Sequence, residues 1–228
     1  MVMKDFEENI EGFTLIELLI TIAIMSVVLA GITGLFTTTS KYNTSQELMV
    51  ATTQRVRAAK HLMVSELRSA GCNYEGGDRL GFEYDTDDKF NTDANSIHFT
   101  RDIDNGEDDQ VYKPDGDVDH PGEDISYYRI DSAQNILDPE DNTAGTLIRK
   151  DGDDDPDIVA KNIVDLEFKY FDENNAEIDP DTLTRDTTLD TVRVVEVRIV
   201  GEVENTVVVS ENNQLWEQQF RVRIRNLL

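Results

Sequence analysis

Between Phe13 and Phe36 nearly every position is apolar or small, and the only charge in the stretch is Glu17. A helix rises about 1.5 Å per residue and a hydrocarbon core is about 30 Å thick, so a run of about 24 residues is long enough to cross a membrane. Thr37-Thr38-Thr39-Ser40 then turns the chain polar, yet no proline occurs until Pro114, and the helix is free to continue. From Met49 the positions Met49, Thr52, Val56, Ala59, Met63, Leu67 and Ala70 alternate spacings of three and four, which marks one stripe of an amphipathic helix. Arg55, Arg57, Lys60, Glu66 and Arg68 fall mostly off that stripe, and Gly71 supplies the stop. The pattern therefore predicts one helix from Phe13 to Ala70, about 58 residues and roughly 87 Å long, whose first half spans or polymerises and whose second half packs under a sheet. Gly31 and Gly34 interrupt it where it leaves the apolar region, as hinges or as small residues for close helix packing.

Beyond Gly71 the periodicity changes to two. Ser96 to Thr100, Ile125 to Ile130 and Thr146 to Arg149 are short β-branched or aromatic runs bounded by Asp, Asn, Gly or Pro. From Ile163 to Phe171 polar and apolar residues alternate, which directs Leu166, Phe168 and Tyr170 to a core. Val192 to Val203 and Phe220 to Ile224 repeat the pattern with Arg193, Arg198, Arg221, Arg223 and Arg225 mainly on polar faces, and Val207-Val208-Val209 is a further short strand. An antiparallel sheet with one wet face fits this distribution.

Glu17 needs an explanation, because an ionised side chain within an apolar span is expensive and by default functional. A secretory signal peptide does not supply one: the leader carries Lys4 against Asp5, Glu7, Glu8 and Glu11, and its small residue, Gly12, precedes the apolar run. Gly12-Phe13-Thr14-Leu15-Ile16-Glu17 instead resembles the class III leader motif of type IV prepilins and type II secretion pseudopilins. The resemblance implies cleavage by prepilin peptidase between Gly12 and Phe13, N-methylation of Phe13, and a role for Glu17 as an assembly contact with the N-terminal amine of a neighbouring subunit. Glu66-Leu67-Arg68-Ser69-Ala70-Gly71, Ile125 to Ile130, Leu147-Ile148-Arg149, Ile163 to Tyr170 and Arg223 to Leu227 are further similar to the PilW family of minor pilins, whose skeleton the J pseudopilin of type II secretion shares.

Charge narrows the partners. The chain holds 47 acids against 21 Lys and Arg, for a net charge of −26, which argues against nucleic acid as a partner of the polar part. Cys72 to Asp157 alone holds 26 acids against 7 bases, so that segment reads as strands joined by long acidic loops. The single Cys72 excludes an intramolecular disulfide. His61, His98 and His120 have no spacing that suggests a zinc site or a nucleophile with its base, so no enzyme is expected. Asp115, Asp117, Asp119 and Glu123 place oxygens as the first part of an EF-hand loop does. His120, however, stands where that loop needs glycine, and the closing glutamate is missing. The segment is either a solvated acidic loop or a Ca²⁺ site, and no other cofactor is expected.

Together these features predict an α+β, type IV pilin-like fold with a long N-terminal transmembrane and amphipathic helix packed on an antiparallel β-sheet head. The expected parts are a cleaved leader at 1–12, a membrane and polymerisation helix at 13–36, its amphipathic continuation at 37–71, and a head at 72–228. The head divides into acidic loops (72–157) and a C-terminal sheet (158–228). The implied function is that of a minor pilin that initiates or caps a type IV pilus. A type II secretion pseudopilin is the second reading and a membrane-anchored calcium-dependent adhesin the third. The implied partners are prepilin peptidase, other minor pilins, the major pilin, the inner-membrane assembly platform and the membrane, with the head in the periplasm before assembly.

Overall fold

A computed structural model describes residues 12–72, 80–84, 91–103, 118, 120–138, 141, 143–183, 189–203 and 214–226. The chain forms two compact units, Met1–Gln46 and Glu47–Leu228. Helix α1 (Leu15–Leu67) contributes to both, and the strands belong to the second.

In the first unit α1 is continuous through Gly31 and Gly34, around which no atom lies within 4 Å of an added Cβ. Its apolar side chains are exposed: Phe13 is 90% exposed, and Leu15, Ile16, Ile24, Leu35 and Phe36 likewise bury little against the other described residues. The hydroxyls of this stretch satisfy themselves locally. Thr21 donates to the Glu17 carbonyl, Thr33 to Leu29, and Thr38 to Gly34, each one turn back along the helix. That bonding suits a segment without water, where an unmet polar group is costly.

In the second unit the predicted stripe holds. Thr52, Val56, Ala59, Met63 and Leu67 are buried along α1, and Ala70 is buried just past its end. Met49 is exposed at 40%, so the stripe begins at Thr52. The helix stops three residues before the predicted Ala70. Ser69 and Ala70 form tighter i→i−3 bonds, and Gly71 takes φ 71°, a left-handed conformation suited to glycine, with its N–H donated to Thr100.

The sheet is antiparallel throughout. Its strands are β1 (Ser96–Thr100), β2 (Asp124–Ile130), β3 (Gly145–Asp151), β4 (Asp157–Phe171), β5 (Glu177–Ile178), β6 (Val194–Val203) and β7 (Gln214–Arg223). The order is β1-β2-β3-β4-β6-β7, with β5 pairing only to β4. Six of the strands were legible as apolar or alternating runs, whereas Val207-Val208-Val209 lies outside the described residues. β7 starts at Gln214, six residues ahead of the predicted Phe220, because its first half is polar and gains its order from pairing with β6.

β4 is long enough to pair with β3 through Asp157–Ile163 and with β6 through Ile163–Phe171. Register shifts on both sides bend it, and Asn162 adopts φ 59° between the two halves. The shift exchanges faces, so Ile163 is fully buried along with Leu166, Phe168 and Tyr170. The irregular carbonyls are taken up by Arg129, a fully buried side chain on β2. Its guanidinium donates to the carbonyls of Ile163 and Val164 and, on its other side, to those of Asp138, Asp141 and Thr143.

The joint between α1 and the sheet is ionic at its end and steric at its middle. Glu66 is only 7% exposed, which departs from its placement off the buried stripe. Its carboxylate lies 3.0 Å from the Arg149 guanidinium on β3 and 3.4 Å from that of Arg101, and it accepts the hydroxyl of Tyr127 on β2. Arg101 also donates to Ser69 Oγ at 2.6 Å, and Arg149 to Asp151 at 3.1 Å. Burial, then the Glu66 charge, pushes the Tyr127 hydroxyl well above its ordinary range, so it remains a donor. Farther along, a Cβ on Gly201 of β6 would stand 2.9 Å from Val56 Cγ2 and 3.0 Å from Thr52 Cγ2, so the helix rests against bare backbone there.

Gly201→Ala is expected to lower stability by about 1 to 3 kcal/mol through overpacking. Thermal unfolding of Gly201→Ala, Val56→Ala and the double variant checks the contact, since coupling makes the double loss smaller than the sum. Glu66→Gln removes the counter-charge of buried Arg101 and one of those of Arg149, which keeps Asp151, and is expected to cost about 3 kcal/mol in denaturant melts. Replacing Glu66, Arg101 and Arg149 together with apolar residues is expected to recover most of that loss.

Candidate functional site

Gly12, Phe13 and Thr14 precede the first helical residue, Leu15, so the Gly12–Phe13 bond lies outside the helical hydrogen-bond ladder. Thr14 is the residue on which the helix starts. Its backbone N–H donates to Glu17 Oε2 at 2.9 Å, its hydroxyl donates to the same oxygen at 2.8 Å, and the Glu17 N–H approaches Thr14 Oγ1 at 3.3 Å. This reciprocal pairing across Thr-x-x-Glu is a capping box, which satisfies amides that the first turn leaves without partners. It also places a carboxylate at the positive end of the helix dipole.

The capping box gives Glu17 a role within its own chain that the apolar-span argument overlooked. The signal was present in the sequence as Thr14 three residues ahead of Glu17. Both bonds from Thr14 end on Oε2, while Oε1 accepts no hydrogen bond among the described residues. Glu17 is therefore oriented by one oxygen and open at the other. It stands among Leu15, Ile16, Leu18 and Leu19, all exposed.

The residues expected to take part in a calcium site divide. Asp115, Asp117 and Asp119 lie outside the described residues. Glu123 is 1% exposed, and its oxygens accept the backbone N–H of Ile103 at 3.2 Å and of His120 at 3.0 Å. It thus ties together the two ends of the segment that runs between Ile103 and His120. Burial, opposed by those two amides, raises its pKa. Among the described residues no group of three or more His, Cys, Asp or Glu side chains is placed to hold a metal ion.

Helix α1 is also the one described helix long and apolar enough to cross a membrane, by length and composition. The prokaryotic N-terminal methylation motif matches residues 9–33, which covers the Gly12–Phe13 junction, the capping box and most of the apolar run. No curated protein matches the chain. The matched motif and the long apolar helix packed, through its later turns, on an antiparallel sheet make this a prepilin-like protein with a pilin or pseudopilin role.

Proposed function

We propose that the chain is a minor pilin that initiates or caps a type IV pilus. Prepilin peptidase removes the leader at Gly12, Phe13 is N-methylated, and the apolar helix holds the protein in the inner membrane with its head in the periplasm. Other minor pilins and the major pilin then receive it at the assembly platform. The observation that carries this reading is the Gly12–Phe13 junction set directly before an apolar helix whose only early charge, Glu17, is oriented by Thr14 and open at Oε1. An unpartnered carboxylate in a membrane costs about 2.5 to 3.5 kcal/mol on insertion scales, and the ammonium of a neighbouring Phe13 offsets that cost. Three segments similar to PilW minor pilins, Glu66 to Gly71, Ile125 to Ile130 and Leu147 to Arg149, meet around the Glu66 carboxylate, which gives their co-occurrence a physical reason.

Intact-mass measurement of membrane-extracted protein is expected to show a chain beginning at N-methylated Phe13. Retention of the leader in cells with active prepilin peptidase contradicts the reading. Deletion of the gene is expected to abolish piliation, whereas lost secretion with intact pili assigns the chain to the type II pseudopilus.

The two roles of Glu17 separate by substitution. Glu17→Gln keeps a capping side chain but removes the charge, and Glu17→Ala removes both. If the carboxylate pairs with an amine of a neighbouring subunit, both variants insert in the membrane and both fail to co-purify with other minor pilins. Rescue of co-purification by glutamine leaves Glu17 as a helix cap alone. Thr14→Val is expected to weaken the cap by about 1 kcal/mol and to reduce incorporation less than either Glu17 variant does.

A further inference from the structure

Strand β7 closes one end of the sheet and pairs only with β6 among the described residues, over ten residues in unbroken register. Such an edge presents a row of unmet backbone donors and acceptors, which proteins blunt with a bulge, a proline, a covering element or charged side chains, and of these β7 has only the last, in Glu217, Arg221 and Arg223. β7 has no register shift and no proline, and it carries Leu215 at 62% exposure.

With 47 acids for 21 Lys and Arg, every base in the chain has acids to spare. Yet Arg55, Arg57, Lys60 and Arg68, on or just past α1, make no ion pair among the described residues. Two of them mark where the helix runs relative to the strand. The Arg57 guanidinium lies 6.0 Å from the Trp216 ring, and Lys60 Nζ lies 5.5 Å from the Phe220 ring. Near the strand's end, Asn226 Nδ2 donates to the Arg68 carbonyl. The exposed acid on β7, Glu217, is already engaged by Arg198 Nε at 2.9 Å. Arg57 and Lys60 thus border the open edge on the side of the sheet that faces the helix, with no ion pair among the described residues.

We propose that the β7 edge, with Arg57 and Lys60 above it, is a docking site for an extended, acidic segment of a partner protein, which adds as a further antiparallel or parallel strand. Backbone hydrogen bonds supply the attachment and the cations select acidic side chains at every second position, since alternate residues of a strand share a face. A duplex nucleic acid is a poor occupant, because it offers no peptide N–H and C=O groups to continue the ladder of β7. The inference rests on the second unit and does not depend on the prepilin reading.

The test uses the full chain in detergent micelles and a blocked octapeptide of alternating Glu and Val. Trp216 is the only tryptophan, so its fluorescence reports directly on the edge. Saturable binding with a change in Trp216 emission, and slowed hydrogen exchange at β7 amides but not at β1, is the expected result. Arg57→Gln with Lys60→Gln is expected to weaken binding at least tenfold while leaving the melting temperature within a few degrees. If that pair fails to fold, Arg57→Gln and Lys60→Gln taken singly provide the same reading with a smaller loss. Binding that leaves β7 exchange unchanged, equal binding by a peptide interrupted by proline, equal binding by a Lys-Val peptide, or preferential binding of duplex DNA overturns the proposal.

Discussion

The arrangement of the second unit depends on a carboxylate that elementary electrostatics would place elsewhere. Glu66 stands in the last turn of α1, where the helix dipole disfavours an acid by about 0.3 to 1 kcal/mol, and it is withdrawn from water. Only two guanidinium groups and a phenolic hydroxyl, brought from β2, β3 and the segment after β1, make that position tenable. The helix end and these sheet elements therefore stabilise one another. Without Glu66, Arg101 would be a buried charge with no ion pair among the described residues, and Arg149 would keep only Asp151 and the exposed Asp157.

Much of the fold could be read directly from spacing. The three-and-four stripe located the buried face of α1, and the two-residue alternation located β4 and β6. The ends of elements were less legible where tertiary contacts set them: α1 stops at Leu67 because the chain must tighten before Gly71 reaches Thr100, and β7 extends to Gln214 because β6 offers it partners. The bulges of β4 left no trace in an alternating sequence, although Asn162 is a residue type that tolerates positive φ. At the N-terminus the junction and Glu17 were conspicuous. The capping function of Glu17 was missed because its charge drew attention away from the hydroxyl three residues before it. Glu66 was misplaced for a related reason, since a lone acid off an apolar stripe gives no sign of arginines that lie 35 and 83 residues away.

The two units meet different solvents with one backbone. Residues 15–46 expose apolar side chains, and the hydroxyls of Thr21, Ser26, Thr33, Thr37 and Thr38 return to the helix's own carbonyls, as suits a helix in lipid. Residues from Thr52 onward bury an apolar stripe against a sheet whose other face carries a lattice of paired charges, such as Arg198 between Asp165 and Glu217, and Glu196 beside Arg221. Hydrophobic burial therefore organises the head, while the leading helix keeps its apolar surface for a lipid phase or for other subunits.

Arg129 gives part of the head an indifference to its surroundings. All five of its hydrogen-bond acceptors are peptide carbonyls, which neither titrate nor dissociate with their counter-ions. A surface ion pair weakens as salt is added, and a carboxylate clamp lets go when acidified. Hydrogen bonds to fixed peptide dipoles do neither. In a molecule whose loops carry dense negative charge, the bend of β4 is thus held by hydrogen bonds whose acceptors do not titrate, while the carboxylates of Asp165, Asp141 and Asp138 add an attraction to the same cation that salt can screen.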